Sequence, residues 1–536
     1  MKHHPFLLPT FFLLLIPSLL SAGQGEYFQV RVVDEATGRG IPMVKLTTTS
    51  NVVGYTDSNG VYAFLEPGLM ETRVFFSIES PGYSYPKDGF GSVGKALLTT
   101  PGASAELRMK RENIAERLYR VTGQGIYRDS VLAGVPVPIA HPGINGLVVG
   151  QDSVDNAIYG GRLFWMWGDT GRAAYPLGHF KMAGAFSDLP GAGGLAPGQG
   201  VDLEYFVDAD GFSRPTCPWP DEGLIWLEGL LTQVDEQGRE RMVARFARLK
   251  GLSETLERGL VLWNDETQAF DPIYRTGPND LPYPDFGHAF PVRVEGRDYH
   301  YFATPFPLAV RLRVPAEFAA VTDIDRYEVL TTLAPLEGGV IRGEVESAGG
   351  DVAGDYHWVR FGDLYGEGPG LRSRRDAIDA LAQEKKTLRL VEAGSGAKVE
   401  PHGGSVFFNR HLDQWVMIFN RIGGDDSFLG EVYYSTAPSP VGPWRPAVKI
   451  ATHPEYSFYN PKQHPYFDEA DGRLIYFEGT YSMAFSKSNG RPVPRYDYNQ
   501  LMYRLDLSDP RLALQEADFD AYPVAARLFE AGTAGR

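Results

Sequence analysis

Cysteine is almost missing from this 536-residue chain, where Cys217 is the only one. A disulfide framework within one chain is excluded, and so is any cysteine-based metal cluster. Positive charge is also scarce. Lys and Arg total 51 against 67 Asp and Glu, for a formal net charge of −16. Such a balance disfavours non-specific binding to nucleic acid, which draws its main attraction from counterion release by basic side chains. Past the N-terminal leader no stretch is apolar enough to span a bilayer.

The leader itself, "MKHHPFLLPTFFLLLIPSLLSAG", has a short basic and polar front, an apolar run and a small-residue end. It reads as a secretory signal peptide over residues 1–22, with cleavage near Ala22, and predicts a secreted or periplasmic protein. A membrane anchor is the rival reading, but Pro9, Thr10 and Pro17 interrupt the run, and no cysteine follows for lipidation.

Residues 26–110 carry short alternating runs, "YFQVRVVD", "GYTDSNGVYAF" and "RVFFSIES", punctuated by turns such as Ser58-Asn59-Gly60. That pattern predicts a small antiparallel β-sandwich. Residues 111–143 read as a connector with a short helix around Glu112 to Tyr119. From 144 to 520 the chain returns five times to a similar unit: a strand, a tight polar turn and, in most units, a strongly aromatic second strand. The units include "LFWMWGDT", "LIWLEGLL", "GHAFPVRVEGRDYHYFATPF", "GSVFFNRHLDQWVMIFNR" and "QHPYFDEADGRLIYFEGTYS". A four-stranded unit cannot cover both of its faces alone, and packing units around an axis solves that problem. The expected fold is all-β, a five-bladed β-propeller with a small N-terminal β-sandwich. Other blade counts and a large sandwich or jelly roll are the alternatives. An insertion at 334–400 interrupts the series, with a helical segment at Ala377 to Lys386.

If first strands begin at one mouth of the axis, their early residues and the ends of second strands meet there. Asp152 with Asp155, Asp221 with Glu222, His288, His402 and His464 stand at first-strand starts, and Asp169, Arg421 and Glu478 at second-strand ends. Asp169 follows the aromatic run ending at Trp167, and Glu478 follows "LIYF". Two facing carboxylates suit glycosidic bond cleavage, one protonating the leaving oxygen while the other activates water or attacks the anomeric carbon. Asp169 is expected as base or nucleophile and Glu478 as general acid. Asp152 is read as a third carboxylate that tunes pKa or orients sugar. His288, His402, His464, Arg421, Trp167 and Asp155 are expected to bind substrate. A structural network of histidines or a metal site of His288, His402 and His464 stays open. No cofactor is required by the residues, and a divalent cation is the alternative.

Two resemblances follow from short motifs. "V-x-D-x-x-T-G-x-x-I-P…T-D-x-x-G-x-Y-x-F" in the N-terminal part resembles carboxypeptidase-regulatory-like and collagen-adhesin-B-like modules. The resemblance implies a stalk, spacer or adhesion unit, with a cell-surface association through it. "YYSTAPSPVGPWRPA" and "FWMWGDT" are similar to segments of five-bladed glycosidase folds, including the arabinanase and fructosidase superfamilies. That likeness implies a glycoside hydrolase with paired acids at the propeller mouth and a polysaccharide or oligosaccharide substrate. Where better-known members carry an "N-D-P-N/D-G" acid segment, this chain has "GQDSVDNAIYG". Asp152, or alternatively Asp155, would take the place of the missing acid. A polysaccharide lyase using His, Tyr and Arg421 on a uronate is the runner-up, followed by a non-catalytic carbohydrate-binding or scaffold protein.

Overall fold

Strands dominate because short alternating runs leave one apolar row per face, which only a second layer can cover. The computed structural model describes residues 25–179, 181–251, 253–281, 287–304, 308–331, 333–336, 339–341, 357–367, 370–383, 390–442 and 444–513. The leader at 1–22 lies outside them, as does most of 337–356 within the insertion. Among the described residues, no helix is long and apolar enough to cross a membrane.

The N-terminal part forms two four-stranded sheets. Phe28–Asp34, Val61–Phe64, Ser104–Arg111 and Tyr83–Ser84 make one; Lys45–Thr48, Val53–Tyr55, Arg73–Glu79 and Gly94–Leu98 make the other. Val30, Val32 and Leu107 from the first share a core with Leu46, Phe76 and Ile78 from the second.

Five antiparallel sheets of four or five strands follow, with smaller two- and three-stranded sheets beside them. The first strands of these sheets are Val154–Tyr159, Leu224–Val234, His288–Val294, Pro401–Asn409 and Ser457–Gln463. Each touches the next, and the last touches the first again. The cores repeat that cycle. Met166 packs with Ile225 and Met242 between the first and second sheets. Val243 and Leu260 meet Phe302 and Leu312, and Tyr301 meets Phe407 and Trp415. Ile418 meets Phe458 and Phe477. Tyr476 and Met502 of the fifth sheet pack against Trp165 and Trp167 of the first.

The stretch read as a connector departs from expectation. Glu116–Arg120 is a strand, not a helix, and forms the outer strand of the fifth sheet by antiparallel pairing with Asn499–Asp506. Local helix-forming residues yield because a partner strand from the far end of the chain is available. A short helix occurs further on, at Arg128–Leu132. In the insertion, helix Arg374–Gln383 sits slightly ahead of its expected place and buries Ala377, Ile378 and Leu381 against the third sheet.

Candidate active site

A cavity of about 480 Å³ opens where the five first strands begin. Every sheet contributes. Asp152, Asp155 and Asp169 come from the first, Trp226 and Glu228 from the second, His288 from the third, His402 from the fourth, and Tyr459 and Asn460 from the fifth. A larger space, about 900 Å³, lies along the other ends of these strands, walled by Ile158, Val292, Phe407, Phe408 and Trp415 among others.

Asp152 and Asp169 occupy a break in one β-ladder. Strand Val148–Gln151 runs in a small three-stranded sheet, passes Asp152 and Ser153, and resumes as Val154–Tyr159 in the first large sheet. The partner strand does the same in reverse, with Gly168 and Asp169 between Arg162–Trp167 and Thr170–Arg172. The Asp152 N–H donates to the Asp169 carbonyl at 3.2 Å and the Gly168 N–H to the Asp152 carbonyl at 2.8 Å. Ser153 adopts φ 42° at the crossing. Irregularities of this kind re-aim side chains, and here both carboxyls turn to one cavity. Burial and the neighbouring Asp152 push the Asp169 carboxyl up to about 6. Burial also raises Asp152. The Trp226 indole N–H donates to Asp169 Oδ1 at 3.2 Å, and the Tyr498 hydroxyl donates to Asp152 Oδ2 at 3.1 Å.

Glu228 stands two residues beyond Trp226 on the same strand. Its Oε1 lies 3.0 Å from Nη1 of the buried Arg245 on the neighbouring strand, and its side chain remains partly exposed. Sequence reading overlooked it by seeking the second unit's acids at Asp221 and Glu222, ahead of a strand that starts at Leu224. The available signal was "W-L-E-G", which repeats the aromatic-x-acid theme of "W-G-D".

Asp155 has a different environment. It ion-pairs with Lys462 Nζ, lies 3.3 Å from His288 Nδ1, and accepts the Leu230 N–H at 3.2 Å and the Asn156 N–H at 2.9 Å. Burial alone would raise this carboxyl, but Lys462 and His288 hold it well below the usual range. Its partners come from the second, third and fifth sheets. Asp155 therefore ties four sheets together at the axis.

The three histidines separate. His288 and His402 line the cavity. Burial, then Lys462, lowers His288; burial lowers His402 to about 4, against a hydrogen bond with Asn420. Both imidazoles are neutral near pH 7. His464 is fully buried elsewhere, its Nδ1 3.0 Å from Asn156 Nδ2 and its Nε2 3.5 Å from Glu478 Oε1. The reason is the fifth sheet's first strand, Ser457–Gln463, which ends at His464 instead of beginning there. Among the described residues no three His, Cys, Asp or Glu side chains form a metal-ligand set, so the three-histidine arrangement does not assemble.

Three other expected residues lie off the cavity. Glu478 is fully buried within Leu474–Ser482, with His464 beside it. Arg421 pairs with Glu431 at 3.3 Å and Asp425 at 3.7 Å. Trp167 is buried, stacked on Trp165 with ring centroids 5.9 Å apart. It fills the gap between the first and fifth sheets and offers no stacking face. The exposed aromatic at the cavity is instead Phe485, 62% accessible and edge-on to Tyr459.

No protein-family model matches the chain, and no curated protein matches it. Solved structures do. A Bacteroides ovatus protein provisionally named a hydrolase aligns over 69% of this chain and 88% of its own, at 15% identity and TM-score 0.42. An exo-β-1,3-galactanase from Phanerochaete chrysosporium aligns over 74% and 65%, at 10% identity and TM-score 0.37. An α-L-arabinofuranosidase from Fusarium graminearum aligns over 67% and 94%, at 13% identity and TM-score 0.33.

Proposed function

We propose that this chain is a secreted glycoside hydrolase acting on an uncharged oligosaccharide or polysaccharide, with Asp169 as general acid and Glu228 as its carboxylate partner. The observation that carries the reading is the contrast between two acids facing one cavity. Asp169 is held up to about 6 by burial and by Asp152, whereas Glu228 is paired with Arg245. A carboxyl with a raised pKa facing an ion-paired carboxylate suits the two roles of glycosidic cleavage. Asp169 delivers its proton to the leaving oxygen as the C–O bond breaks. The Glu228 carboxylate takes a proton from the attacking water, or attacks the anomeric carbon itself and is released by water in a second step. Neutral His288 and His402 offer hydrogen bonds to sugar hydroxyls, and Phe485 offers an apolar face.

Charge at the cavity bears on the substrate class. Asp152, Asp155, Asp169 and Glu228 line it, and among the described lining residues there is no Lys or Arg. A uronate or sulfated sugar would find no cation among these lining residues, and the nearby Lys462 and Arg245 are already paired with Asp155 and Glu228. Arg421, the cation that a lyase reading would use, is engaged by Glu431 and Asp425.

The proposed architecture is a five-bladed propeller. It is supported by five successive sheets, by the cyclic contacts of their first strands, and by the closing strand Glu116–Arg120. Export rests on the leader at 1–22.

The test is a panel of neutral and uronate-containing glycans, with reducing ends and ultraviolet absorbance read in parallel. New reducing ends from a neutral glycan, lost in Asp169→Asn, are the expected result. A rise in absorbance on a uronate polymer would overturn the hydrolase reading.

A further inference from the structure

The N-terminal module is bolted to the fifth sheet. The fully buried Arg117, on the closing strand, donates to the Pro42 carbonyl at 2.9 and 3.1 Å, to the Pro81 carbonyl at 3.1 Å and to Ser80 Oγ at 2.5 Å. The Arg120 N–H donates to Ser58 Oγ at 3.1 Å. A buried guanidinium satisfied by carbonyls from another unit fixes the relative placement of the two, because freeing it would strand several polar groups.

One strand-to-strand loop runs from this junction to the acid pair. Tyr496 is buried against the module: its hydroxyl accepts the Met43 N–H at 3.1 Å and donates to the Thr56 carbonyl at 2.5 Å. The Arg120 guanidinium lies 5.1 Å from the centroid of the same ring, and also bonds the Arg495 carbonyl. Arg495 reaches Asp129 at 3.5 Å. Two residues past Tyr496, the Tyr498 hydroxyl donates to Asp152 Oδ2 at 3.1 Å. Arg495 and Tyr498 hold φ of 67° and 59°, left-handed values that a non-glycine residue keeps only when its surroundings impose them. Gly150 makes room for the loop, since a Cβ there would stand 2.4 Å from the Tyr498 carbonyl.

We infer that the N-terminal module is a positioning element of the active site, acting through Tyr496 to hold the Tyr498 hydroxyl on the Asp152–Asp169 pair. The module is then a working part of the catalytic unit and not a detachable stalk. Tyr496 is a positioning residue; Tyr498 touches Asp152 directly. This inference rests on the role given to Asp169 above, but its central claim concerns a carboxyl environment that can be read without any substrate.

The experiment is a carbon-13 carboxyl titration of aspartate-labelled full-length protein, with the Asp152 signal assigned by its loss in Asp152→Asn. The Tyr498 hydrogen bond favours the ionised Asp152, so removing it raises that carboxyl's titration midpoint. Tyr498→Phe and Tyr496→Phe are each expected to move Asp152 upward, by roughly half a pH unit for a hydrogen bond of ordinary strength. The double variant is expected to match Tyr498→Phe alone, because Tyr496 acts only through Tyr498. Ser80→Ala, which loosens the module at a remote contact, is expected to lower Tm without moving Asp152. If Tyr496→Phe fails to fold, Asp129→Asn loosens the same loop at Arg495 and takes its place. A Tyr496 or Asp129 variant that lowers Tm but leaves Asp152 unmoved would overturn the inference, as would shifts that add in the double variant. A silent glycan panel with these shifts intact would defeat the hydrolase reading alone.

Discussion

Trp226 donates its indole N–H to Asp169 Oδ1 at 3.2 Å, from the same strand that carries Glu228 two residues later. One strand of the second sheet thus both tunes the proposed acid and supplies its partner. Asp169 is pulled two ways: burial and Asp152 raise its carboxyl, while the Trp226 indole lowers it.

Opposite substitutions should therefore move the basic limb of a kcat/KM profile in opposite directions. A general acid works while protonated, so a higher carboxyl pKa carries activity to higher pH. Trp226→Phe removes a donor and is expected to shift the limb upward by about half a pH unit. Asp152→Asn removes a like charge and is expected to shift it downward, by on the order of one pH unit. Movement of both variants in the same direction would remove Asp169 from the role of acid.

Glu478 provides a contrast. Its carboxyl is sealed between sheets beside His464, out of reach of a sugar in the cavity. Glu478→Gln is expected to keep kcat/KM within about threefold of the parent, whereas Asp169→Asn loses about 10²–10⁴-fold. Steady-state rates on one neutral substrate decide it, and a comparable loss in both variants would return Glu478 to the chemistry.

Asp155 and Lys462 face each other with almost no access to water. Removing one member of such a pair strands the other charge, at a cost of about 3–5 kcal/mol. Lys462→Met is expected to lose that much by denaturant unfolding. Asp155→Asn added to it should recover more than half, because the amide keeps an oxygen for the Leu230 N–H. Costs that simply add would mean that the pair is not coupled.

The contrast between Asp169 and Glu478 shows where local pattern reading works. Five aromatic-rich units were legible because alternation and turn residues are local signals, and they led directly to Asp152, Asp169, His288 and His402 at the cavity. His464 was misread because "SFYNPKQ" hides a strand. Pro461 interrupts it, Asn460 takes φ 50°, and the register slips between Tyr459 and Lys462. Without that strand, the next segment looks like the start of the unit and His464 appears at the wrong end of the axis. The closing strand Glu116–Arg120 was hidden for another reason. Its pairing partner, Asn499–Asp506, lies more than two thirds of the chain away, and no periodicity within a short window carries that information. Glu228 falls inside an 11-residue strand that starts at Leu224, where a search confined to first-strand starts and second-strand ends does not reach.

His453 gives the clearest pH dependence of stability. It is fully buried, with Nδ1 2.8 Å from the Gly430 carbonyl, Nε2 2.7 Å from the Tyr503 hydroxyl and its ring stacked on Phe458 at 4.5 Å. A neutral ring that donates from Nδ1 and accepts at Nε2 satisfies both partners. Burial lowers its pKa to about 3, with the charge of Arg117 acting in the same direction and the Gly430 carbonyl opposing it. Because the folded value lies below the unfolded one, this histidine's contribution is complete above about pH 6.5 and is lost as the pH falls toward the folded value. By pH 5 the loss amounts to about 2 kcal/mol. Other buried groups titrate in the same range, so the comparison must be made against a variant. His453→Gln cannot protonate, and its stability gap from the parent is expected to be widest at pH 7 and narrower by about 2 kcal/mol at pH 5. Urea unfolding of both proteins at the two pH values measures the gap. A constant gap would mean that His453 keeps the same proton count folded and unfolded, and that its burial does not suppress the charge.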